Sequence, residues 1–392
     1  MTAAAGWNRW IEDEGAQIAA AGRWRRVRSF DADGPSGRLD DRAVVAFASN
    51  DYLGLSRHPA VCAAAVDAIG RWGTGSGASR LVVGSRPVHH DLEDALADWK
   101  GTERALLFPT GYAANLGVLA TFGHAGARVL SDELNHASIV DGCRLARAPL
   151  AVFGHVDLDH LETLLDEDRR EDRRSIVVTD AVFSMDGDVA PLEAIGDLCQ
   201  RFGALLVTDE AHDVFHEADV LAGRSDLDLV RVGTLSKTLG SLGGFAATTA
   251  AGVDLLVNRA RSFIFTTAPS PPDTAAALAA LAVCRGADGD ALRARLRRNI
   301  AVLDPTSRTP VLPVLVGHED AAMAAAASLL EDGLFVPAIR PPTVPAGTSR
   351  LRVAVSADHV EPDLDRLAAA LHSLGLTVGL PAAGAPGDGA HR

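Results

Sequence analysis

Only four cysteines occur in the 392 residues, Cys62, Cys143, Cys199 and Cys284, and no two of them form a C-x-x-C pair. That excludes a cysteine zinc cluster and a small disulfide framework, so reduced thiols are expected. The 13 histidines show no H-E-x-x-H or comparable ligand spacing, and no metal is expected. Basic residues are outnumbered, 37 against 51 acidic ones, leaving a formal net charge of −14 and no Lys/Arg stripe to follow a nucleic-acid backbone. The apolar stretches, such as Ala-rich 321–330, are too short to cross a bilayer. The N-terminus, MTAAAGWNRWIEDEG, lacks the basic segment and apolar run of a secretion signal. A cytoplasmic protein with neither nucleic-acid nor membrane partners is expected.

What is present suits a folded enzyme. Apolar residues make up 47% and charged residues 22%, far from the composition of a disordered chain. The length allows one large domain and a smaller partner. Residues 1–43 read as an N-terminal arm, with a helical pattern from Trp7 to Ala21 and the basic cluster Arg23-Trp-Arg-Arg-Val-Arg28. Across 44–285, β-rich runs at 105–108, 175–179, 204–208 and 229–233 alternate with Ala/Leu helices, which predicts βαβ units around a mostly parallel sheet. Residues 286–380 change to strand (311–316), helix (320–331), two strands (335–339 and 350–355) and helix (362–374), a small C-terminal α+β domain. The Pro/Gly/Ala-rich end, 381–392, reads as a disordered tail.

The chemistry begins at T-D-E-A-H, residues 208–212, after the apolar run ALLV. Asp209 is thereby placed at the carboxyl end of a strand, where ligands of open α/β sheets bind. An isolated Asp there would more often cap a helix. D-E-A-H also marks a class of helicases, but that reading needs a G-x-x-x-x-G-K-[ST] phosphate loop, and the chain has none. Downstream, in GTLSKTLGSLGG, another strand ends and Lys237 stands in a Ser/Thr/Gly-rich turn. A lone lysine is usually solvent decoration, yet this one can meet Asp209 across adjacent strand ends. Pyridoxal phosphate (PLP) requires that pair: an amine to carry its aldehyde and a carboxylate to keep the pyridine nitrogen protonated. Its phosphate needs N–H groups at a helix start, which FPTGYAAN supplies at Gly111 and Tyr112.

From about Phe47 to His359 the chain resembles the α-oxoamine synthase family of fold-type I PLP-dependent transferases. The strings that carry the resemblance are FASNDYLGLSRHP, GTGSGASRLVVGS, LLFPTGYAANLGVL, LNHASIVDGCRLA, VVTDAVFSMDGDVAPL, LLVTDEAH, GTLSKTLGSLGGF and RPPTVPAGTSRLRVAVSADH. The resemblance implies Lys237, His136, Asp209 and His212 as catalytic residues, with His136 stacked on the pyridine ring. Ser184 and His212 would bond the ring's phenolic oxygen, and Gly111, Tyr112 and Thr234 the phosphate. Thr266 and Thr267 would reach the phosphate of the other subunit of a homodimer. Asn50 and Arg352 would bind the amino-acid carboxylate, with Ser79 also on the substrate side, and Arg25 and Thr343 would meet the acyl chain. The implied reaction is decarboxylative condensation of L-alanine with a pimeloyl thioester, on CoA or acyl carrier protein. A synthase using glycine or serine with another acyl chain shares the same cage; a catalytically silent subunit would have lost the lysine. Two segments depart from the family: Asp213-Val-Phe-His216 stands where a Gly-rich run is usual, and 298–313 is compressed.

Overall fold

The computed structural model describes residues 6–123, 126–215 and 219–379, so His216 and the tail at 381–392 lie outside the described residues. Its centre is a seven-stranded sheet in the order Arg104–Phe108, Gly244–Thr248, Leu229–Thr234, Leu205–Asp209, Arg174–Asp180, Ala127–Asp132, Leu150–Phe153. All neighbours pair parallel except Gly244–Thr248, which runs antiparallel to both of its partners. The pleat sends alternate side chains to opposite faces. Ile176, Val178 and Val207 accordingly join the core beneath helices Gly111–Phe122 and Ala137–Ala146. Val177 and Leu206 join the one beneath Leu158–Arg170 and Leu192–Phe202. With both faces covered, the strands read as apolar runs rather than as alternating ones.

Four predicted strands and the helix at Trp7–Ala20 are present, and the sheet adds Ala127–Asp132, Leu150–Phe153 and Gly244–Thr248. The strand expected at 335–339 is not one element. Leu334–Phe335 pairs parallel with Arg42–Ala46, whereas Ala338–Ile339 pairs antiparallel with Ser349–Ala354. Pro337 between them carries no N–H for either ladder. One small sheet therefore joins Phe30–Ala32, Ser36–Leu39 and Arg42–Ala46 to Leu334–Phe335, and another joins Val311–Gly317, Ser349–Ala354 and Ala338–Ile339. A common core holding Phe47, Tyr52, Leu55, Leu107, Leu281, Val314 and Val353 runs from the N-terminal segment to the C-terminal elements. That core brings residues near 50 and near 350 to the carboxyl edge of the large sheet.

Candidate active site

Two parallel strands end in the same three letters, V-T-D, at 178–180 and 207–209, and their registers place Asp180 beside Asp209. Asp209 is buried and each of its oxygens accepts one hydrogen bond, which leaves further acceptor capacity: Asn115 Nδ2 donates to its Oδ2 at 2.6 Å, and the Ala211 N–H donates to its Oδ1 at 2.9 Å. The same Asn115 amide reaches Ser138 Oγ at 2.9 Å, and Ser138 Oγ lies 2.7 Å from His136 Nδ1. A hydrogen-bonded line thus runs from Asp209 to His136. Burial lowers the pKa of His136, which keeps its ring neutral and able to lie against an aromatic cofactor. The His136 backbone N–H donates to Asp180 Oδ2 at 2.7 Å. Burial, and then the charge of Asp209, push the Asp180 carboxyl well above the usual carboxylate range.

A second line starts at Lys237. Its Nζ is 2.7 Å from His212 Nε2, His212 Nδ1 is 2.6 Å from the Tyr52 hydroxyl, and that hydroxyl donates to Asn50 Oδ1 at 3.1 Å. Asn50 Oδ1 also accepts from Arg352 Nη2 at 3.1 Å. Both ring nitrogens of His212 are thus engaged, one by Lys237 and the other by Tyr52. Burial, reinforced by the charges of Lys237 and Arg352, holds the His212 pKa well below its ordinary value, which keeps its ring neutral. Burial also lowers the Lys237 pKa and raises that of Tyr52 to about 12. More of the lysine is therefore present as the free amine, the form that acts as nucleophile or base, than in a solvated lysine.

The helix Gly111–Phe122 opens against this group, its Thr110 cap accepting from Ala113 N–H. The N–H groups of Gly111 and Tyr112 have no acceptor among the described residues. A Cβ on Gly111 would stand 3.2 Å from Thr234 Cβ, a tight contact, so glycine eases the close approach of the helix start to the Thr234–Lys237 turn. Free N–H groups at a helix N-terminus beside the Thr234 and Ser236 hydroxyls form an anion cradle. Together with the Lys237 amine and the Asp209 carboxylate, this donor set fits the phosphate, aldehyde and pyridine nitrogen of PLP.

Arg352 is 6% exposed; its Nε donates to the Ser184 carbonyl at 2.5 Å, which leaves one edge of the guanidinium for a ligand. Ser184 thus meets Arg352 through its backbone. The remaining expected residues stand apart from these two lines. Arg25 and Thr343 are exposed, while Arg23 and Arg28 pair instead with Glu319 and Asp40. Ser79 is half-buried at the start of the turn Arg80–Gly84. Thr266 is half-buried and Thr267 exposed, next to a Phe265 that is 70% exposed. The tyrosine at 52, the asparagine at 115 and the aspartate at 180 were not anticipated. The repeated V-T-D was the signal for Asp180, and the chain's possession of only two lysines was a further pointer to Lys237.

The other lysine has a structural task. Lys100 Nζ lies 2.6 Å from Glu210 Oε2, and Arg231 Nε lies 2.6 Å from Glu210 Oε1, all three side chains being at most 3% exposed. Burial alone would raise the Glu210 pKa, but the two cations hold it down to about 2. Because that value is below the ordinary 4.5, the stabilisation is present above pH 4.5 and is lost as pH falls through about 2. Glu210→Gln leaves the buried Lys100 ammonium without its counter-charge, Arg231 keeping Asp219 at 2.6 Å, and is expected to destabilise the fold by about 3–5 kcal/mol, measured by denaturant unfolding at neutral pH. Unchanged stability would show that the network contributes nothing. An apolar cavity of about 410 Å³ adjoins Glu210 and His212, with Val182, Leu192, Val214 and Phe215 on its walls. The departure at 213–215 forms part of it; Lys237 does not line it.

Among the described residues no helix is long and apolar enough to cross a membrane, and no group of His, Cys, Asp and Glu could hold a metal ion. Residues 42–371 match the family model of aminotransferase class I and II. The 8-amino-7-oxononanoate synthase of Geobacter sulfurreducens is 46% identical over 388 residues, covering 94% of this chain and 99% of the relative. A serine palmitoyltransferase variant from S. paucimobilis, solved with a bound PLP–myriocin aldimine, superposes with a TM-score of 0.85 at 29% identity, over 93% of this chain and 98% of that one. The crystal structure of 8-amino-7-oxononanoate synthase from Francisella tularensis gives a TM-score of 0.71 at 26% identity, over 84% and 96%. A sheet that brings Asp209, Lys237 and a helix-start anion cradle to one edge, in a chain this similar to those enzymes over nearly its whole length, belongs to the aminotransferase class I and II fold family and, within it, to the 8-amino-7-oxononanoate synthases.

Proposed function

We propose that this chain is a PLP-dependent acyltransferase that condenses L-alanine with a pimeloyl thioester, on CoA or acyl carrier protein, to give 8-amino-7-oxononanoate, CO₂ and free carrier, a step of biotin synthesis. The observation that carries the reading is the hydrogen-bonded line from Lys237 through His212, Tyr52 and Asn50 to Arg352. It places an amine of lowered pKa and a guanidinium with hydrogens left to donate at the two ends of one hydrogen-bonded array, an amine to exchange with the amino group of an amino acid and a cation for its carboxylate.

PLP, when bound, supplies the aldehyde that takes up the amino acid and the electron sink that makes its Cα–H acidic. Gly111, Tyr112 and Thr234 would hold its phosphate, Asp209 would keep its ring nitrogen protonated, and His136 would cover its face. Ser184 and His212 would bond its phenolic oxygen. Arg352, oriented by Ser184 and Asn50, holds the alanine carboxylate. Lys237 Nζ would be the base for the Cα proton, and His212, hydrogen-bonded to Nζ on one side and to Tyr52 on the other, would orient it. The Asp180 carboxyl and Asn115 fix His136 and Asp209 in place. A homodimer is part of the proposal: exposed Leu81, Val82, Val83 and Phe265 lie on neighbouring segments joined by the Ala268 N–H to Ala78 carbonyl bond, an apolar patch that carries Thr266 and Thr267. The setting proposed is the cytoplasm, in keeping with free thiols at all four cysteines.

The test is mass spectrometry of the product made from alanine and pimeloyl-CoA, beside glycine and serine. Product from alanine alone supports the reading; a preference for glycine or serine moves the chain to another α-oxoamine synthase activity. Arg352→Lys adds a second check. An ammonium cannot serve Ser184, Asn50 and a carboxylate at once. Alanine affinity is expected to fall roughly tenfold or more, since charged hydrogen bonds contribute about 1.5–3 kcal/mol. Titration with alanine, followed by the visible band of the bound cofactor, measures it; wild-type affinity would assign the carboxylate to another group.

A further inference from the structure

His155 takes no part in the chemistry above, yet it lies between two carboxylates. Its Nδ1 is 3.1 Å from Asp132 Oδ1 and its Nε2 is 2.6 Å from Asp188 Oδ2. Phe183 meets the ring edge-on, with centroids 4.4 Å apart. Both ring nitrogens face acceptors, so both carry hydrogens and the ring is a cation. Burial disfavours that charge, but hydrogen bonds to Asp132 and Asp188 outweigh it and raise the pKa to about 10. The turn is held tightly: Val156 has φ 48°, a costly conformation for a β-branched residue, and its N–H is fastened to Asp132 Oδ2 at 2.9 Å.

The two carboxylates belong to the two segments that shape the site. Asp132 Oδ1 also accepts the Leu134 N–H at 2.9 Å, and so starts the loop that carries Asn135 and His136. Asp188 closes the turn in which its own carbonyl accepts the Phe183 N–H at 3.0 Å. That turn presents the Ser184 carbonyl to Arg352 Nε and Asp186 to Arg350. Neither segment bonds the other directly through these carboxylates; the imidazole joins them.

We propose that His155 is a positioning residue, bridging Asp132 and Asp188 so that the His136 loop and the turn that orients Arg352 keep one relative geometry. The proposal rests on the functional reading given above, in which His136 faces the cofactor and Arg352 the substrate carboxylate. A displacement of about 1 Å at such a site is enough to lower activity about a hundredfold.

The test compares wild type with His155→Phe, which keeps a ring and removes both donors, and with Asp188→Asn, which weakens one arm. Three readouts are taken on the PLP-loaded enzymes: alanine affinity by spectral titration, visible circular dichroism of the bound cofactor, and Tm. His155→Phe is expected to bind alanine about tenfold more weakly and to show a reduced dichroic band, with Asp188→Asn shifted less in the same direction. A purely structural histidine would lower Tm and leave alanine affinity and the dichroic band of the folded protein at wild-type values, and that result overturns the proposal. If His155→Phe does not fold, Asp188→Asn decides by the same criteria. Wild type that binds neither PLP nor alanine overturns the functional reading, and the positioning role with it.

Discussion

Lys237→Ala is expected to lose turnover by about a thousandfold or more, because one side chain serves both as the covalent anchor and as the base for the Cα proton. The fold should survive. The turn around it is set by the backbone: the Gly240 N–H bonds the Lys237 carbonyl at 2.9 Å, and Gly240 has φ 59° at a spot where a Cβ would meet Ser56 N at 2.3 Å. Loss of the amine leaves His212 Nε2 without that partner but places no new charge in the site. Borohydride reduction followed by peptide mapping gives a clean answer, since the chain has only Lys100 and Lys237 to label. Wild type should carry the phosphopyridoxyl group on the Lys237 peptide and the variant should carry none. A label on Lys100, or its absence from wild type, would remove Lys237 from the centre of the mechanism.

Asp209→Asn is expected to lower turnover by about a hundredfold or more while cofactor retention falls far less. A neutral amide cannot keep a buried pyridine nitrogen protonated, and removing one member of a buried ion pair costs about 3–5 kcal/mol. The phosphate cradle at Gly111, Tyr112 and Thr234 lies elsewhere and keeps its hold. Locally the change is tolerated. Asn115 now donates to Asp209 and leaves its own Oδ1 without a partner, so rotation of the Asn115 amide lets Oδ1 face the new amide instead. Cofactor affinity from fluorescence titration, set against kcat on the same preparations, separates the two effects. Equal losses in both would mean that the acid at 209 only holds the fold together, as Glu210 does next to it.

Adjacent letters of one motif thus have different tasks. In T-D-E-A-H, Asp209 and His212 enter the site, whereas Glu210 is neutralised by Lys100 at the end of a helix 110 residues away and by Arg231 on the adjacent strand. The motif could be read as functional from its place at a strand end, but the division of labour within it depends on which side of the strand each residue faces and on what lies there. The same holds for the N-terminal cluster. Its basic character is visible in the letters, yet Arg23 and Arg28 are taken up by Glu319 and Asp40, and Arg25 remains exposed.

The single element read as a strand at 335–339 shows where local pattern runs out. Apolar residues flank Pro337 on both sides, so periodicity continues through it, while the ladders on either side belong to different sheets. Gly244–Thr248 is a related case: its apolar letters are those of any buried strand, and nothing in them states that it runs antiparallel to both neighbours.

By itself the sequence determined the α/β class, the strand-end positions of Asp209 and Lys237, the helix start at Gly111 and the family, because each is written in a short run of residues: an apolar stretch, then the polar or glycine residue that ends it. Tertiary structure decided the rest. Tyr52 and His212 are 160 residues apart, Asn115 and Asp209 are 94 apart, and Arg352 and Asn50 are 302 apart. Their hydrogen bonds exist only once the strand order and the core shared by Tyr52, Leu107 and Val353 have brought these segments to one edge. Contacts of that length leave no periodicity in the chain, since they are fixed by how layers pack and not by what neighbours what along the backbone.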